Sequence, residues 1–147
     1  PETKLPKASE ILSLKGDPKQ GKALIGRCYV CHKIGSAGVE FGPALAGWGS
    51  GQTRDVILKS ILDPSADISH GFEGTELIVK GDKKIQGFVQ AEGDPLVIRV
   101  FGGQDLVIAK ADIHSRKQVK TSFMAPASRL GLDAQQLRDV VEYLKLN

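Results

Sequence analysis

The chain has 147 residues and a mass of 15.8 kDa, which fits one domain with a modest core. Its net charge of +3 is mild, and its Lys and Arg residues are scattered among Asp and Glu, which argues against nucleic-acid binding. No apolar run approaches the roughly 18–20 residues of a membrane span, so we expect a protein that does not itself cross a membrane. The chain opens at Pro1 rather than Met, which is typical of a mature or excised segment.

The first predicted helix is the segment "GDPKQGKALIGRC". Asp17 is a good N-cap, and Pro18 falls at the first helical position, where its missing N–H costs nothing. Gly21 inside this helix costs about 1 kcal/mol relative to Ala. A close crossing by a second helix would offset that cost.

Both cysteines of the chain lie at the end of this helix, in "CYVCH". A disulfide between Cys28 and Cys31 would close a tiny loop and stabilise little. A thioredoxin-like dithiol expects a strand before the motif and a helix after it, and a zinc site needs four ligands, whereas His70 and His114 are remote in sequence. In C-x-x-C-H the two thiols attach a haem covalently and the histidine, here His32, binds its iron. The spacing favours this last interpretation, with one haem c per chain.

In the middle of the chain the spacing of the apolar residues changes from that of a helix to that of strands. "TRDVILKSILDP" predicts a helix with Thr53 as N-cap and an end at Asp63–Pro64. Four strand-like runs follow, "TELIVK", "KIQGFVQA", "PLVIRVF" and "DLVIAKADI", separated by short turns, and they predict an antiparallel meander. We interpret residues 69–120 as an inserted β unit within a single domain of residues 1–147.

The last part of the chain contains the only methionine, Met124, in "SFMAPAS", followed by a helix that begins after Asp133. Met124 either fills a gap in the core or binds a metal through its thioether. Val140 and Tyr143 share a face of the last helix, so this helix is the candidate to cross the first one at Gly21.

Four segments in the same order, "GDPKQGKALIGRCYVCH", "FGPALAGWG", "FMAP" and "LRDVVEYLKL", resemble a class I cytochrome c. The resemblance implies a mainly α fold: a helical core around a covalently attached haem, with the small antiparallel β unit inserted. It implies that His32 and Met124 are the axial ligands of the iron and that the carbonyl of Pro43 orients His32. His70 and His114 are the competitors of Met124 as the sixth ligand. Trp48 either packs in the core or forms part of the haem wall.

The β insertion narrows the resemblance to the CxxCH haem domains of planctomycete- and verrucomicrobial-type proteins, many of which end larger extracytoplasmic chains. The implied function is electron transfer between redox proteins, with a dehydrogenase as electron donor, in the periplasm or elsewhere outside the cytoplasm. Such a protein is not itself an enzyme. The alternative is a haem-based gas sensor or peroxidase-like catalyst with an open sixth site, for which His70 or His114 would have to supply the distal imidazole.

The change of period near Gly74, and its reversal near Met124, predicts that the β unit closes independently of the haem crevice. Only 5% of the residues are aromatic, so the chain has few rings with which to enclose a haem. The alternative is therefore that the β unit forms part of the haem wall. In that arrangement Phe72, Phe88 or Phe101 covers one edge of the haem.

Overall fold

The computed structural model describes all residues from Pro1 to Asn147. The helices are α1 (Ala8–Ser13), α2 (Pro18–Leu24), α3 (Arg54–Leu62) and α4 (Ala134–Leu146), and the strands are β1 (Lys33–Ile34), β2 (Ala37–Gly38), β3 (Gly74–Val79), β4 (Lys83–Ala91), β5 (Leu96–Val100), β6 (Asp105–Ile108) and β7 (Ile113–Val119). No helix is long and apolar enough to cross a membrane.

The three predicted N-caps are confirmed. The Asp17 side chain accepts a hydrogen bond from the backbone N–H of Lys19, Thr53 caps α3, and Asp133 caps α4. Each cap satisfies an N–H group that has no partner within its helix. The short helix α1 was not predicted, because it has only six residues and begins after Lys7, which is not a preferred N-cap residue.

The predicted crossing of α2 and α4 at Gly21 is confirmed. A Cβ atom at Gly21 would collide with the backbone carbonyl of Asp139 and would lie 2.8 Å from the Cβ of Tyr143. The two helices can therefore approach each other only because this position carries no side chain. The Asp139 carboxylate also accepts a hydrogen bond of 2.8 Å from the backbone N–H of Asp17, which fixes the start of α2 against α4.

The large sheet has five antiparallel strands in the order β6-β5-β4-β3-β7. The strands β3 to β6 form the predicted meander. Strand β7 was missed: it returns to pair with the other edge of β3, and five of its seven residues are exposed and mostly polar. An exposed edge strand of this kind has no hydrophobic alternation by which a sequence pattern could find it.

The prediction of a mainly α fold, the helical core of a class I cytochrome c with a small β insertion, is wrong. Helices, with the short 3₁₀ turns included, account for only 33% of residues and strands for 24%, so the fold is mixed α/β. The β unit stays within the expected residues 69–120 but has five strands rather than four, and its sheet has a core of its own, in which Leu77 and Ile98 are fully buried. The resemblance behind this expectation rests on segments at the two ends of the chain, which are the helical parts, and so gave the helices too much weight.

The second core joins the four helices, with Ile11, Ile57, Leu137 and Val141 fully buried. Between the helical core and the sheet lies a cluster of the chain's five phenylalanines, Phe41, Phe72, Phe88, Phe101 and Phe123. This phenylalanine cluster connects the two halves of the fold.

Candidate functional site

A cavity of about 200 Å³ lies beside the phenylalanine cluster, and 15 of its 23 lining residues are hydrophobic. Walls of this composition suit a largely apolar ligand. All six residues singled out from the sequence line it: Cys28, Cys31, His32, Pro43, Trp48 and Met124. The fold therefore brings together, in one place, residues that come from distant parts of the chain.

A tight turn at the end of α2 places the C-x-x-C-H residues. A 3₁₀ turn covers Ile25–Cys28, and the carbonyl of Cys28 then accepts hydrogen bonds from the N–H of Cys31 at 3.1 Å and of His32 at 2.8 Å. This compact backbone brings both thiols and the imidazole to the wall of the same cavity.

The two thiols are free and half-buried. Burial raises the pKa of Cys28, and the neighbouring Cys31 raises it further, although Arg27 acts in the opposite direction. Burial also raises the pKa of Cys31. Redox-active dithiols instead depend on a lowered thiol pKa, so the site does not favour the thioredoxin-like interpretation.

The ring of His32 is buried and oriented by one hydrogen bond. Its Nδ1 lies 2.6 Å from the carbonyl oxygen of Pro43, which is the contact expected from the sequence. Because a carbonyl can only accept, Nδ1 carries the proton and Nε2 keeps the lone pair that can bind a metal. Burial lowers the pKa of His32, partly offset by the Pro43 hydrogen bond, so the neutral form that metals require is favoured.

Gly42 supports the same ring from the side. A Cβ atom there would lie 2.8 Å from the Cε1 and 3.1 Å from the Nδ1 of His32. The N–H of Gly42 also donates a hydrogen bond of 2.6 Å to the carbonyl of Cys31. The Gly-Pro pair therefore acts on His32 through both steric contact and hydrogen bonding.

Met124 lies in a loop that is anchored to the segment following α3. Its N–H donates to the hydroxyl of Ser122 at 3.1 Å, and the N–H of Ser122 donates to the hydroxyl of Ser65 at 3.0 Å. The Met124 side chain is half-buried, packs against the helical core and lines the cavity. Its position is therefore compatible with either interpretation made from the sequence.

Trp48 also has both contacts considered from the sequence. It is half-buried, packs against the helical core and forms part of the cavity wall. The neighbouring Gly49 packs directly on the backbone carbonyl of Leu144 in α4, which fixes the loop that carries Trp48.

The prediction that the β unit closes independently of this cavity is wrong. Phe72 and Phe88 line the cavity, as the alternative interpretation expected. Phe101 does not line it and is 51% exposed. Two further lining residues, Phe41 and Phe123, were missed, although each immediately precedes a residue or pair that had been singled out.

The remaining histidines lie outside the cavity. His70 is fully exposed and contacts Glu73 at 3.5 Å, and His114 is exposed on β7 beside a separate surface depression. Asp67 is the only carboxylate among the lining residues. No group of three or more His, Cys, Asp and Glu side chains is arranged to hold a metal ion.

Neither a protein-family model nor a curated protein matches the sequence.

Proposed function

We propose that the protein is an electron-transfer c-type cytochrome that carries one covalently attached haem in this cavity. One observation carries the proposal. The thiols of Cys28 and Cys31, the imidazole of His32 and the thioether of Met124 all line one apolar cavity, which is the donor set that such a group requires. The resemblance of four sequence segments to cytochromes c supports the same conclusion.

The residues have distinct roles in this proposal. Cys28 and Cys31 would hold the haem through thioether bonds, and His32 and Met124 would bind its iron. Bound haem would supply a one-electron Fe(III)/Fe(II) couple. The Pro43 carbonyl keeps the Nδ1 proton of His32 in place, which fixes the ring and makes Nε2 a better donor.

The surroundings favour electron transfer over gas sensing or peroxidase chemistry. The alternative needs a displaceable sixth ligand and a distal imidazole, and neither His70 nor His114 lines the cavity. A neutral thioether favours the reduced iron and therefore a high potential. Single electrons would come from one protein partner, for which we propose a dehydrogenase, and would pass to another. Covalent haem attachment in bacteria also argues for a periplasmic or other extracytoplasmic location.

Absorption spectra of the protein produced together with a haem-attachment system would test the proposal. We expect a low-spin c-type spectrum in both redox states and only slow CO binding to the reduced form. A protein that carries no haem would contradict the proposal. Rapid CO binding by the unaltered protein would instead favour the sensor alternative.

A further inference from the structure

The phenylalanine cluster joins the sheet to two loops: the Gly42–Pro43 loop, which orients His32, and the loop that carries Met124. Phe41 immediately precedes Gly42 and Pro43, which hold His32, and Phe123 immediately precedes Met124. The Phe41 and Phe123 ring centroids lie 6.3 Å apart. The ring that precedes the Gly42–Pro43 pair and the ring that precedes Met124 therefore lie side by side.

Two rings from the sheet contact both of these loop rings. Phe88 of β4 lies 4.6 Å from Phe41 and 5.4 Å from Phe123 between ring centroids. Phe101, which directly follows β5, lies 4.7 Å from Phe41 and 5.3 Å from Phe123. Packed aromatic pairs at these distances stabilise their arrangement beyond the area that they bury.

Further contacts fix the sheet against the loop that precedes Pro43. Arg99 of β5 lies 3.6 Å from the carboxylate of Glu40. A Cβ atom at Gly103 would lie 2.9 Å from Val39 and 3.2 Å from the carbonyl oxygen of Glu40. The turn between β5 and β6 therefore rests directly on residues 39–41.

A separate contact fixes the sheet against the methionine loop. A Cβ atom at Gly74, the first residue of β3, would lie 2.6 Å from the ring of Phe123. The sheet thus contacts the two loops through different residues as well as through the rings that they share.

We infer that Phe88 and Phe101 are positioning residues that hold the Gly42–Pro43 loop, which orients His32, in place relative to the Met124 loop. This inference rests on the proposed haem ligation. It gives the β unit a role in that function, because the sheet restrains the Met124 loop and would so keep the thioether in place to bind the iron.

Phe101 provides the sharper test because it does not line the cavity. Its ring contacts the two loops through Phe41 and Phe123. Phe88, in contrast, lines the cavity, and its replacement would also change the cavity wall directly.

The experiment compares haem-loaded variants by two measurements: the rate of CO binding to the reduced protein and the intensity of the weak ferric charge-transfer band of an iron–thioether bond. Phe101→Ala should accelerate CO binding roughly fivefold, because it removes two aromatic contacts, and should weaken the band. Phe101→Tyr keeps the ring and should behave as the unaltered protein.

Two controls separate positioning from general destabilisation. Val107→Ala removes another exposed apolar side chain, from β6, and should change neither measurement. Leu77→Ala should lower the free energy of unfolding, because Leu77 is fully buried in the sheet core, while leaving the CO rate unchanged.

The inference is overturned if Phe101→Ala matches Val107→Ala in both measurements. It is also overturned if Leu77→Ala accelerates CO binding as much as Phe101→Ala does. In both cases a normal haem spectrum would leave the proposed function standing. A protein without haem would overturn the proposed function and this inference with it.

Discussion

The Nδ1 of His32 lies 2.6 Å from the carbonyl oxygen of Pro43, while the preceding Gly42 packs on the same imidazole ring. One short segment thus determines both the tautomer and the position of the ring. Because the Nδ1 proton is held by a backbone group, no side-chain substitution removes this acceptor, and the steric contact at Gly42 is the part that mutation can change.

Gly42→Ala should displace the His32 ring. The added Cβ would lie 2.8 Å from Cε1 of His32. Such overpacking typically lowers the free energy of unfolding by about 1–3 kcal/mol. We expect a lower yield of haem-loaded protein and a lower midpoint of chemical denaturation. Gly51→Ala is the matched control, because a Cβ there meets nothing within 4 Å. Equal behaviour of the two variants would show that the Gly42 contact is unimportant.

Replacing both thiols should abolish covalent attachment. We expect a haem-stained band after denaturing electrophoresis of the unaltered protein, no such band for the Cys28→Ala/Cys31→Ala double variant, and a weaker one for each single variant, which keeps one thiol. The measurement is the ratio of haem stain to protein stain. A native protein that contains a zinc ion and no haem would contradict the proposed cofactor.

Met124→Ala should open the sixth position of the iron. The expected results are a shift toward a high-spin or water-ligated spectrum, CO binding to the reduced form and a lower potential, because the thioether favours the reduced iron. Met124→His should restore six ligands at a potential below that of the unaltered protein. If the spectrum and potential of Met124→Ala are unchanged, another group binds the iron.

Gly21→Ala should destabilise the protein, although the same change in an exposed helix would stabilise it by about 1 kcal/mol. The Cβ would collide with the backbone of Asp139, which cannot move without displacing α4. We expect a loss of about 2–4 kcal/mol in the free energy of unfolding, of the size seen for other core disruptions. Urea unfolding measures it, and a gain in stability would contradict the close crossing.

Lowering the pH should remove the contribution that ionised Glu142 makes to the free energy of unfolding. Hydrogen bonds from Arg54, and to a lesser extent Arg138, lower the pKa of Glu142 to about 2, against burial, which acts in the opposite direction. A carboxyl with a lowered folded-state pKa stabilises the fold above its unfolded pKa, near 4.5, and loses that contribution as the pH falls toward 2. Because the Arg54 side chain is 41% exposed, solvent screens the pair, and the full contribution is about 1–2 kcal/mol.

Urea unfolding between pH 7 and pH 2.5 would measure this effect. Glu142→Gln should lower the stability at pH 7 and flatten its dependence on pH below 4.5. Glu92→Gln is the control, because the Glu92–Arg116 pair is more exposed and should contribute much less. An equal flattening in the two variants would refute a special role for Glu142.

Sequence patterns correctly predicted the features that depend on residues close together in the chain. The caps Asp17, Thr53 and Asp133 satisfy N–H groups two or three residues away, so short patterns contain all the information. The crossing at Gly21 could also be predicted, because an otherwise costly glycine within a helix calls for a partner.

The errors concern relationships between distant segments. Strand β7 is polar and exposed, and only its pairing with β3 defines it. Phe41 and Phe88 are 47 positions apart in the chain yet 4.6 Å apart between ring centroids. The spacing of apolar residues within one segment does not predict contacts with a distant segment. The sheet was therefore interpreted as a separate unit, although it forms part of the cavity wall.

The hydrogen bond between Asp17 and Asp139 closes a loop of 122 residues. Each doubling of a loop costs about 0.6 kcal/mol in chain entropy, so we expect α2 and α4 to meet late in folding, after the sheet hairpins have formed from neighbouring strands. Until they meet, Cys28 and Cys31 remain exposed at the end of an undocked helix. The order of folding would therefore leave the two thiols open to modification for a limited time, and pulse-labelled hydrogen exchange should show protection in β3, β4 and β5 before α4.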